Sequence, residues 1–398
     1  MPDAHPSLSP ATLAVHRGRP DHVPDATLNP PITMASTYVA GGDLEYGRYD
    51  NPTWVAFEDA LGALEGGRCL TYSSGLAAVA TVLDLVGNGN KVVAPRHAYN
   101  GVTMQLADLE ARGRLTAELV DVVDTDAVVA ACEDAALVWL ESPTNPALEV
   151  ADIAAIAAAA HEAGARVVVD NTFATPLLQR PLDLGADLVV HSATKYLGGH
   201  GTTLGGVVVE SGRFPWDNGK FPHMTEPSAG YHGVRFYETF GVFGFTMKAR
   251  MEVLRVFGPS LSPFNAWLLL QGTETLPVRM DRHCANAQQV AEFLAAHPRV
   301  TWTHYPGLAS SPYHTLARRY MPRGAGALLS FGIAGGYDAA VRFIEGLQFV
   351  SHLANIGDAR SLVIHPASTT HRQLSEAEQV AAGVPPDMIR LSIGLESI

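Results

Sequence analysis

Apolar and polar positions along the middle of the chain form blocks that predict strands and helices in alternation. The short, β-branched-rich apolar runs at 137–140, 167–169 and 188–190 predict strands that are buried on both faces. Between the first two, residues 152–163 have helical spacing, with Asp152 in the first turn and a glycine after the end. Such alternation implies a mainly parallel sheet wrapped by helices, so we predict an α/β fold.

Two helices are predicted before this region. The first begins at Thr53 as N-cap and stops at the glycine pair 66–67. Its apolar face is formed by Trp54, Phe57, Leu61 and Leu64. The second covers 76–85 and follows Ser73-Ser74-Gly75, so its free N–H groups suit a phosphate.

Changes in composition and in hydrophobic periodicity divide the chain into three parts. Residues 1–52 are rich in Pro, His and Asp with little periodicity, which predicts an extended arm. Residues 53–257 hold the alternating pattern and form the predicted catalytic domain. From 258 to 398 the pattern predicts a smaller α+β domain, with helices at 279–296 and 337–347 and strands near 301–303 and 327–331.

Composition excludes several classes of function. The net charge of −13 argues against nucleic acid and anionic membranes as partners. The three cysteines lie far apart, which predicts buried thiols in a reducing, cytoplasmic setting rather than disulfides or a metal site. No apolar run has transmembrane length, and residues 1–5 do not resemble a signal peptide.

The segment 191–201, HSATKYLGGHG, carries the clearest chemical signal. Lys195 follows a buried strand and stands beside the hydroxyls of Ser192 and Thr194 and a run of glycines, which let backbone approach a ligand. A desolvated lysine has a lowered pKa and a reactive free amine. The segment suits a Schiff-base lysine beside a bound phosphate, as pyridoxal 5′-phosphate (PLP) requires. Ser-x-x-Lys also occurs in β-lactamases, but their Ser-Asp-Asn and Lys-Thr-Gly strings are absent.

Three polar residues follow predicted parallel strands: Glu141, Asp170 and Lys195. In such sheets ligands bind beyond the carboxyl ends of the strands, so these side chains are expected to converge. A carboxylate that keeps a pyridine nitrogen protonated and a lysine that forms an imine are what PLP chemistry needs. Alternatively, Asp170 caps a helix or forms an Asx-turn with Asn171.

With these residues the chain resembles the γ-family of PLP-dependent enzymes of cysteine, homocysteine and methionine metabolism. The resemblance covers nearly the whole chain and rests on ESPTNP at 141–146, VDNTFATP at 169–176 and SATKYLGGH at 192–200. It implies PLP as cofactor and the aspartate aminotransferase-like fold type I.

The resemblance also implies cofactor roles. Lys195 is expected to form the imine and shuttle protons, Asp170 to pair with the pyridine nitrogen, Tyr99 to stack on the ring and act as an acid, and Asn145 to approach the 3′-oxygen. The phosphate is expected to contact Gly75, Leu76, Ser192 and Thr194. Taken singly, Tyr99 could be an ordinary half-buried tyrosine.

Other residues are implied to bind substrate or to join subunits. Arg390 matches the arginine that holds the substrate α-carboxylate, although it could instead cap a strand or pair with Glu396. Asn355 stands where lyases of the family carry serine and is assigned to the substrate site. Tyr46 and Arg48 resemble the pair that reaches the phosphate of a neighbouring subunit, although Arg48 could form a surface ion pair. The implied assembly is a homotetramer made of two catalytic dimers.

Two segments of the second half, 221–233 and 351–358, resemble the O-acetylhomoserine sulfhydrylase branch, whereas 45–67 is more similar to cystathionine γ-synthases. Several relatives that handle cysteine or cystathionine place an arginine where this chain has Met104. An amino-acid carboxylate is costly to bury without a cation, so Met104 favours a small nucleophile such as hydrosulfide.

The expected reaction is γ-replacement on an O-acylated homoserine, most simply O-acetyl-L-homoserine, by sulfide or a small thiol. The alternatives are a methionine or cystathionine γ-lyase, a cystathionine γ-synthase, a γ-replacement enzyme of secondary metabolism and, outside enzymes, a PLP-binding regulatory protein. A metal enzyme is disfavoured, because the spacing of His191 and His200 is not a ligand motif.

Overall fold

A computed structural model describes residues 8–398, in which the strands form two sheets. The larger sheet contains β1 (Arg68–Tyr72), β2 (Asn90–Pro95), β3 (Leu115–Val120), β4 (Ala135–Glu141), β5 (Arg166–Asp170), β6 (Leu188–Ser192) and β7 (Gly206–Glu210). Their order is β1-β7-β6-β5-β4-β2-β3, and only β7 runs antiparallel to its neighbours. The predicted α/β fold with a mainly parallel sheet is confirmed.

The central strands form because their side chains are apolar on both faces. All seven positions of β4 are buried, and the three valines of β5 have no exposed surface. Helices cover both faces, so no alternation of apolar and polar residues is needed.

Two helices precede β1, and a helix follows each of the strands β1 to β5. They are α1 (Pro10–His16), α2 (Pro52–Glu65), α3 (Gly75–Asp84), α4 (Asn100–Ala111), α5 (Thr125–Ala131), α6 (Ile153–Glu162) and α7 (Thr175–Leu178). After β7 come the short helices α8 (Pro222–Thr225), α9 (Phe236–Phe240), α10 (Gly244–Lys248) and α11 (Arg255–Phe257), the last two joined by a π-helical segment over Ala249–Leu254.

The smaller sheet contains β8 (Val300–His304), β9 (Leu328–Ile333), β10 (Ser351–His352), β11 (Leu362–Ile364) and β12 (Met388–Ser392). Its order is β10-β11-β12-β9-β8, and only the β10–β11 pair is parallel. The accompanying helices are α12 (Pro263–Glu274), α13 (Leu276–Ala296), α14 (His314–Tyr320), α15 (Gly336–Glu345) and α16 (Glu376–Ala381). This agrees with the α+β character predicted for the C-terminal part.

Two predictions for the N-terminal part were wrong in detail. The arm contains α1, which Ser9 caps through its side chain. In addition, α2 begins at Pro52, and its N-cap is Asn51, whose side chain accepts from the Thr53 N–H. Asn51 is buried and its amide also donates to the Thr33 carbonyl, a tertiary contact that local sequence does not indicate.

We keep the division at 52/53 and 257/258 as a proposal. The larger sheet lies wholly within 53–257 and the smaller one within 258–398, while α12 packs against α2. The first seven residues of the arm, including the segment compared with a signal peptide, lie outside the described range. In the part of the chain that the structure covers, no helix is both long and apolar enough to cross a membrane.

Candidate active site

A cavity of about 470 Å³ opens at the carboxyl ends of the parallel strands. Its volume lies within the range of small-molecule sites, about 300–1,000 Å³. Ten of the twelve residues predicted for the site line it: Gly75, Leu76, Tyr99, Asn145, Asp170, Ser192, Thr194, Lys195, Asn355 and Arg390. The structure therefore brings together groups that are up to 315 positions apart, from both sheets.

Lys195 stands three residues beyond β6, in the turn that links it to β7. Its Nζ donates to Asn355 Oδ1 at 2.5 Å. Burial, and to a smaller extent the positive charge of Arg390, lowers the pKa of the Lys195 amine to about 8. The free amine is therefore far more abundant near neutral pH than for a lysine in water.

Two carboxyl groups lie side by side on adjacent strands. Glu141 ends β4 and Asp170 ends β5, and the two are paired in register. Burial raises the pKa of Glu141 well above its ordinary value, and the neighbouring Asp170 raises it further. Burial also raises the pKa of Asp170, against hydrogen bonds from Thr172 that lower it. A cationic group placed against Asp170 would relieve this repulsion.

Tyr99 is the residue from which α4 starts, and it is 41% exposed. Its backbone N–H donates to Glu141 Oε2 at 2.8 Å. Partial burial raises the pKa of the Tyr99 phenol, and Asp170 and Glu141 add to the effect. The phenol therefore keeps its proton at neutral pH.

Asn145 and Arg390 meet at the border between the two sheets. Arg390 lies on β12 and donates from Nη1 to Asn145 Oδ1 at 2.8 Å. Arg390 does not pair with Glu396, because that carboxylate accepts from Ser361 instead. Burial lowers the pKa of Arg390 to about 10, so the guanidinium remains charged and is available to an anionic ligand.

The N-terminus of α3 forms another part of the cavity wall. Ser74 caps this helix through its side chain, and Gly75 lies so close to Ser192 that a Cβ at Gly75 would stand 2.8 Å from the Ser192 Cβ. Thr194 Oγ1 accepts from the Gly205 N–H at 3.1 Å, which fixes the turn before Lys195. The helix terminus and the two hydroxyls form a cradle that suits a phosphate.

Tyr46 and Arg48 do not line this cavity. Both are exposed, and the Arg48 guanidinium lies 4.8 Å from the centre of the Tyr46 ring. Arg48 is not paired with a carboxylate among the described residues, and Ser260 bonds its carbonyl. Their assignment to the site of a neighbouring subunit stays a prediction.

Met104 is likewise not among the residues that line the cavity. It is 66% exposed on α4. The inference that its missing charge selects a small nucleophile therefore stays a prediction.

Some lining residues were missed from the sequence. Thr172 Oγ1 accepts from the Ser192 N–H at 2.9 Å and so joins β6 to the loop after β5. Thr370 and His371 reach the cavity from the loop after β11. Burial, assisted by Arg390, lowers the pKa of His371, so its imidazole is neutral. The polar string HPASTTHRQLS at 365–375 was the available signal, but nothing in it indicates proximity to Lys195.

Neither histidine that flanks Lys195 is placed among metal-binding partners. His191 Nε2 bonds to Glu65, and His200 Nδ1 lies 2.7 Å from the Gly198 carbonyl oxygen. Across residues 8–398, no group of three His, Cys, Asp or Glu side chains is arranged to hold a metal ion.

The cavity fits PLP in its chemistry. It offers one amine of lowered pKa, a half-buried carboxyl at Asp170 that forms no ion pair with the described residues, an aromatic ring at the rim and a phosphate cradle. These groups lie on different walls, as a cofactor with a carbonyl, a ring nitrogen and a phosphate requires.

Comparison with known proteins agrees with this chemistry. Residues 11–398 match the model of the Cys/Met metabolism PLP-dependent enzymes. The chain is 43% identical to an O-acetyl-L-homoserine sulfhydrylase of Leptospira meyeri, over 98% of this chain and 94% of that one. It is 42% identical to a homocysteine synthase of Schizosaccharomyces pombe, over 97% and 95%.

A solved structure extends the agreement to three dimensions. The Campylobacter jejuni protein assigned as an O-acetylhomoserine (thiol)-lyase, with a pyridoxyl-lysine monophosphate residue, superposes with a TM-score of 0.93. It shares 35% identity over 98% of this chain and 97% of that chain. The protein described here belongs to the family of Cys/Met metabolism PLP-dependent enzymes.

Proposed function

We propose that this protein catalyses γ-replacement on O-acetyl-L-homoserine, in which sulfide displaces acetate and homocysteine is formed. The observation that carries the proposal is the meeting of Lys195, Asp170 and Arg390 in one cavity. The chain in which they meet is similar over nearly its whole length to sulfhydrylases that act on this substrate. The same residues would serve the alternative γ-lyase reaction, so the outcome of the reaction has to be measured.

Each predicted cofactor residue is assigned a task that its position permits. Lys195 would bond to the carbonyl carbon of PLP, and Asp170 would face the ring nitrogen. Tyr99 would lie against the ring, and Asn145 near the 3′-oxygen. The phosphate would be held by Gly75, Leu76, Ser192 and Thr194. When bound, PLP supplies the electron sink for charge that develops at the substrate α-carbon.

Arg390 and Asn355 are proposed to orient the substrate. The buried guanidinium of Arg390 offers a fork of donors, which matches the two oxygens of the α-carboxylate. Asn145 holds this guanidinium from one side, leaving its other nitrogen atoms for the ligand. Asn355 contacts the amine of Lys195 and so lies where the reacting carbon atoms have to be placed.

Lys195 then serves as the proton carrier. As a neutral amine its Nζ can take the α-proton, and the lowered pKa makes the return of a proton equally accessible. Tyr99 keeps its phenolic proton and can donate it to the departing acetate oxygen. Hydrosulfide forms the new bond to the γ-carbon, and the C–O bond to acetate is broken.

We also propose the assembly and the environment predicted from the sequence. Tyr46 and Arg48 are exposed on an arm that carries further exposed apolar residues, including Leu28, Met34 and Val39. Such an arm suits packing on a second copy in a homotetramer of catalytic dimers. The three cysteines are free and buried, which supports a reducing, cytoplasmic setting.

A paired assay tests the proposed reaction. Purified protein is incubated with PLP and O-acetyl-L-homoserine, with and without sulfide, and both homocysteine and 2-oxobutyrate are followed. We expect homocysteine only in the arm with sulfide, and little 2-oxobutyrate in either. Equal amounts of 2-oxobutyrate in both arms would establish a lyase, and no product from PLP-loaded protein would exclude this substrate.

The lowered pKa of Lys195 predicts how cofactor capture depends on pH. Only the neutral amine attacks a carbonyl, and burial disfavours the charged form, so the shift is downward. For ligand-free protein, the rate of PLP uptake should rise about tenfold per pH unit below the pKa. It should then level off above pH about 8. Stopped-flow absorbance measures this profile, and a midpoint near the ordinary lysine value of 10.5 would contradict the assignment.

A further inference from the structure

Glu141 is a buried carboxylate that contacts two separate loops of the site. Its side chain is 4% exposed at the end of β4. Oε2 accepts from the backbone N–H of Tyr99 at 2.8 Å, and Oε1 accepts from that of Asn145 at 2.7 Å. Both oxygens are therefore used on backbone donors, and both donors belong to residues that line the cavity.

The two loops are far apart in the sequence, so their separation in the fold depends on contacts such as those of Glu141. Tyr99 precedes α4 and follows β2, whereas Asn145 follows β4. An outer contact joins them as well, because Glu149 bonds to His97 at 2.8 Å and to Thr144 at 3.0 Å. Among residues 8–398, however, Glu141 is the one residue whose side chain bonds directly to both Tyr99 and Asn145.

We propose that Glu141 is a positioning residue, which fixes the ring of Tyr99 and the amide of Asn145 at the separation that the cofactor requires. The proposal goes beyond the proposed reaction and rests only on the cofactor and on the site assignment. A carboxylate suits the task because it offers two acceptor atoms, whereas a glutamine offers one acceptor and one donor.

Burial and the neighbouring Asp170 both make it energetically unfavourable to ionise a carboxyl group at position 141. Accepting two backbone hydrogen bonds does not by itself require a carboxyl group there. Glu141 lies in register with the half-buried Asp170, so two desolvated carboxyl groups lie side by side on adjacent strands. A neutral acceptor would bond the same N–H groups without that repulsion. With positive charge placed against Asp170 the repulsion falls, so Glu141 and the loaded cofactor support each other.

Glu141→Gln is the direct test, since it keeps the shape and leaves one N–H facing an amide donor. We expect the dissociation constant of PLP to rise about 10- to 100-fold, as for a buried N–H group that is left without an acceptor. Fluorescence titration of PLP measures this constant without any substrate. The visible circular dichroism of the bound cofactor should change, and amide exchange at Tyr99 and Asn145 should become faster in ligand-free protein.

Glu210→Gln is the matched control. Glu210 is also buried at a strand end of the same sheet, and its carboxylate accepts from the N–H of Thr246 at 2.8 Å, remote from Tyr99 and Asn145. The Glu210→Gln variant should be less stable than the wild type. Its dissociation constant for PLP and the visible circular dichroism of the bound cofactor should be unchanged. If Glu141→Gln behaves in the same way, the proposal is overturned.

Glu141→Asp covers the case in which the glutamine variant does not fold. It keeps charge and both acceptors but has a shorter reach, so we expect a PLP constant between those of wild type and Glu141→Gln. A wild-type constant and dichroism for Glu141→Asp would overturn the proposal. These measurements need no acylated substrate. Their outcome is therefore independent of the paired assay, which tests the proposed reaction.

Discussion

Lys195→Ala is expected to lower kcat/KM by about 10⁴-fold or more. The variant removes the only side-chain amine among the cavity-lining residues of the described chain, and with it the carrier of the α-proton. Stability should change little, because Lys195 Nζ makes a hydrogen bond to Asn355 but no ion pair among residues 8–398. Steady-state kinetics with saturating PLP, together with a thermal melt, measure both effects.

Lys91→Ala is the control for this variant. Lys91 lies near the start of β2, away from the cavity, and pairs with Glu118 at 2.8 Å on the surface. Its loss should leave kcat/KM within about twofold of the wild type, since such pairs contribute little. If Lys195→Ala kept more than about a tenth of the activity, the amine would not be the proton carrier that the account requires.

Glu65→Ala is expected to destabilise the fold by about 3 kcal/mol. Glu65 is fully buried at the end of α2 and accepts from His191 at 2.6 Å and from Asn171 at 3.1 Å. Removing it leaves the His191 ring N–H without its acceptor and takes one of two acceptors from the Asn171 amide, which keeps its bond to the Gln179 carbonyl. Those donors belong to residues next to Ser192 and Asp170, so PLP binding should weaken in parallel.

Denaturant unfolding with and without PLP measures this effect, and Glu65→Gln is its control. Glutamine keeps the volume and one acceptor oxygen, so its effect should be less than half that of alanine. PLP should recover part of the lost stability in both variants, because it binds the folded state. Equal unfolding midpoints for wild type and Glu65→Ala would show that the buried contacts do not stabilise the protein.

The core of the site could be predicted because a simple rule places its members. Glu141 and Asp170 end adjacent parallel strands, and Lys195 follows the next one. Once the apolar runs are recognised as strands of one sheet, their carboxyl ends have to meet at the same edge. The roles of individual residues came from the resemblance to a family, not from this rule.

Other contacts could not be predicted, because they join residues far apart in sequence. Arg390 and Asn145 are separated by 245 positions, and His191 and Glu65 by 126. No periodicity or spacing encodes such a pairing. The short helix α1 was missed for a different reason, since it offers only seven residues and follows a Pro-rich stretch.

Mapping the lysine that holds the cofactor tests the central claim most directly. The PLP-loaded protein is reduced with borohydride and digested, and the peptide that carries the pyridoxyl group is identified by mass spectrometry. The account predicts that the group is found on Lys195, in the peptide containing the segment at 191–201. A pyridoxyl group on any other lysine, with Lys195 unmodified, would contradict it.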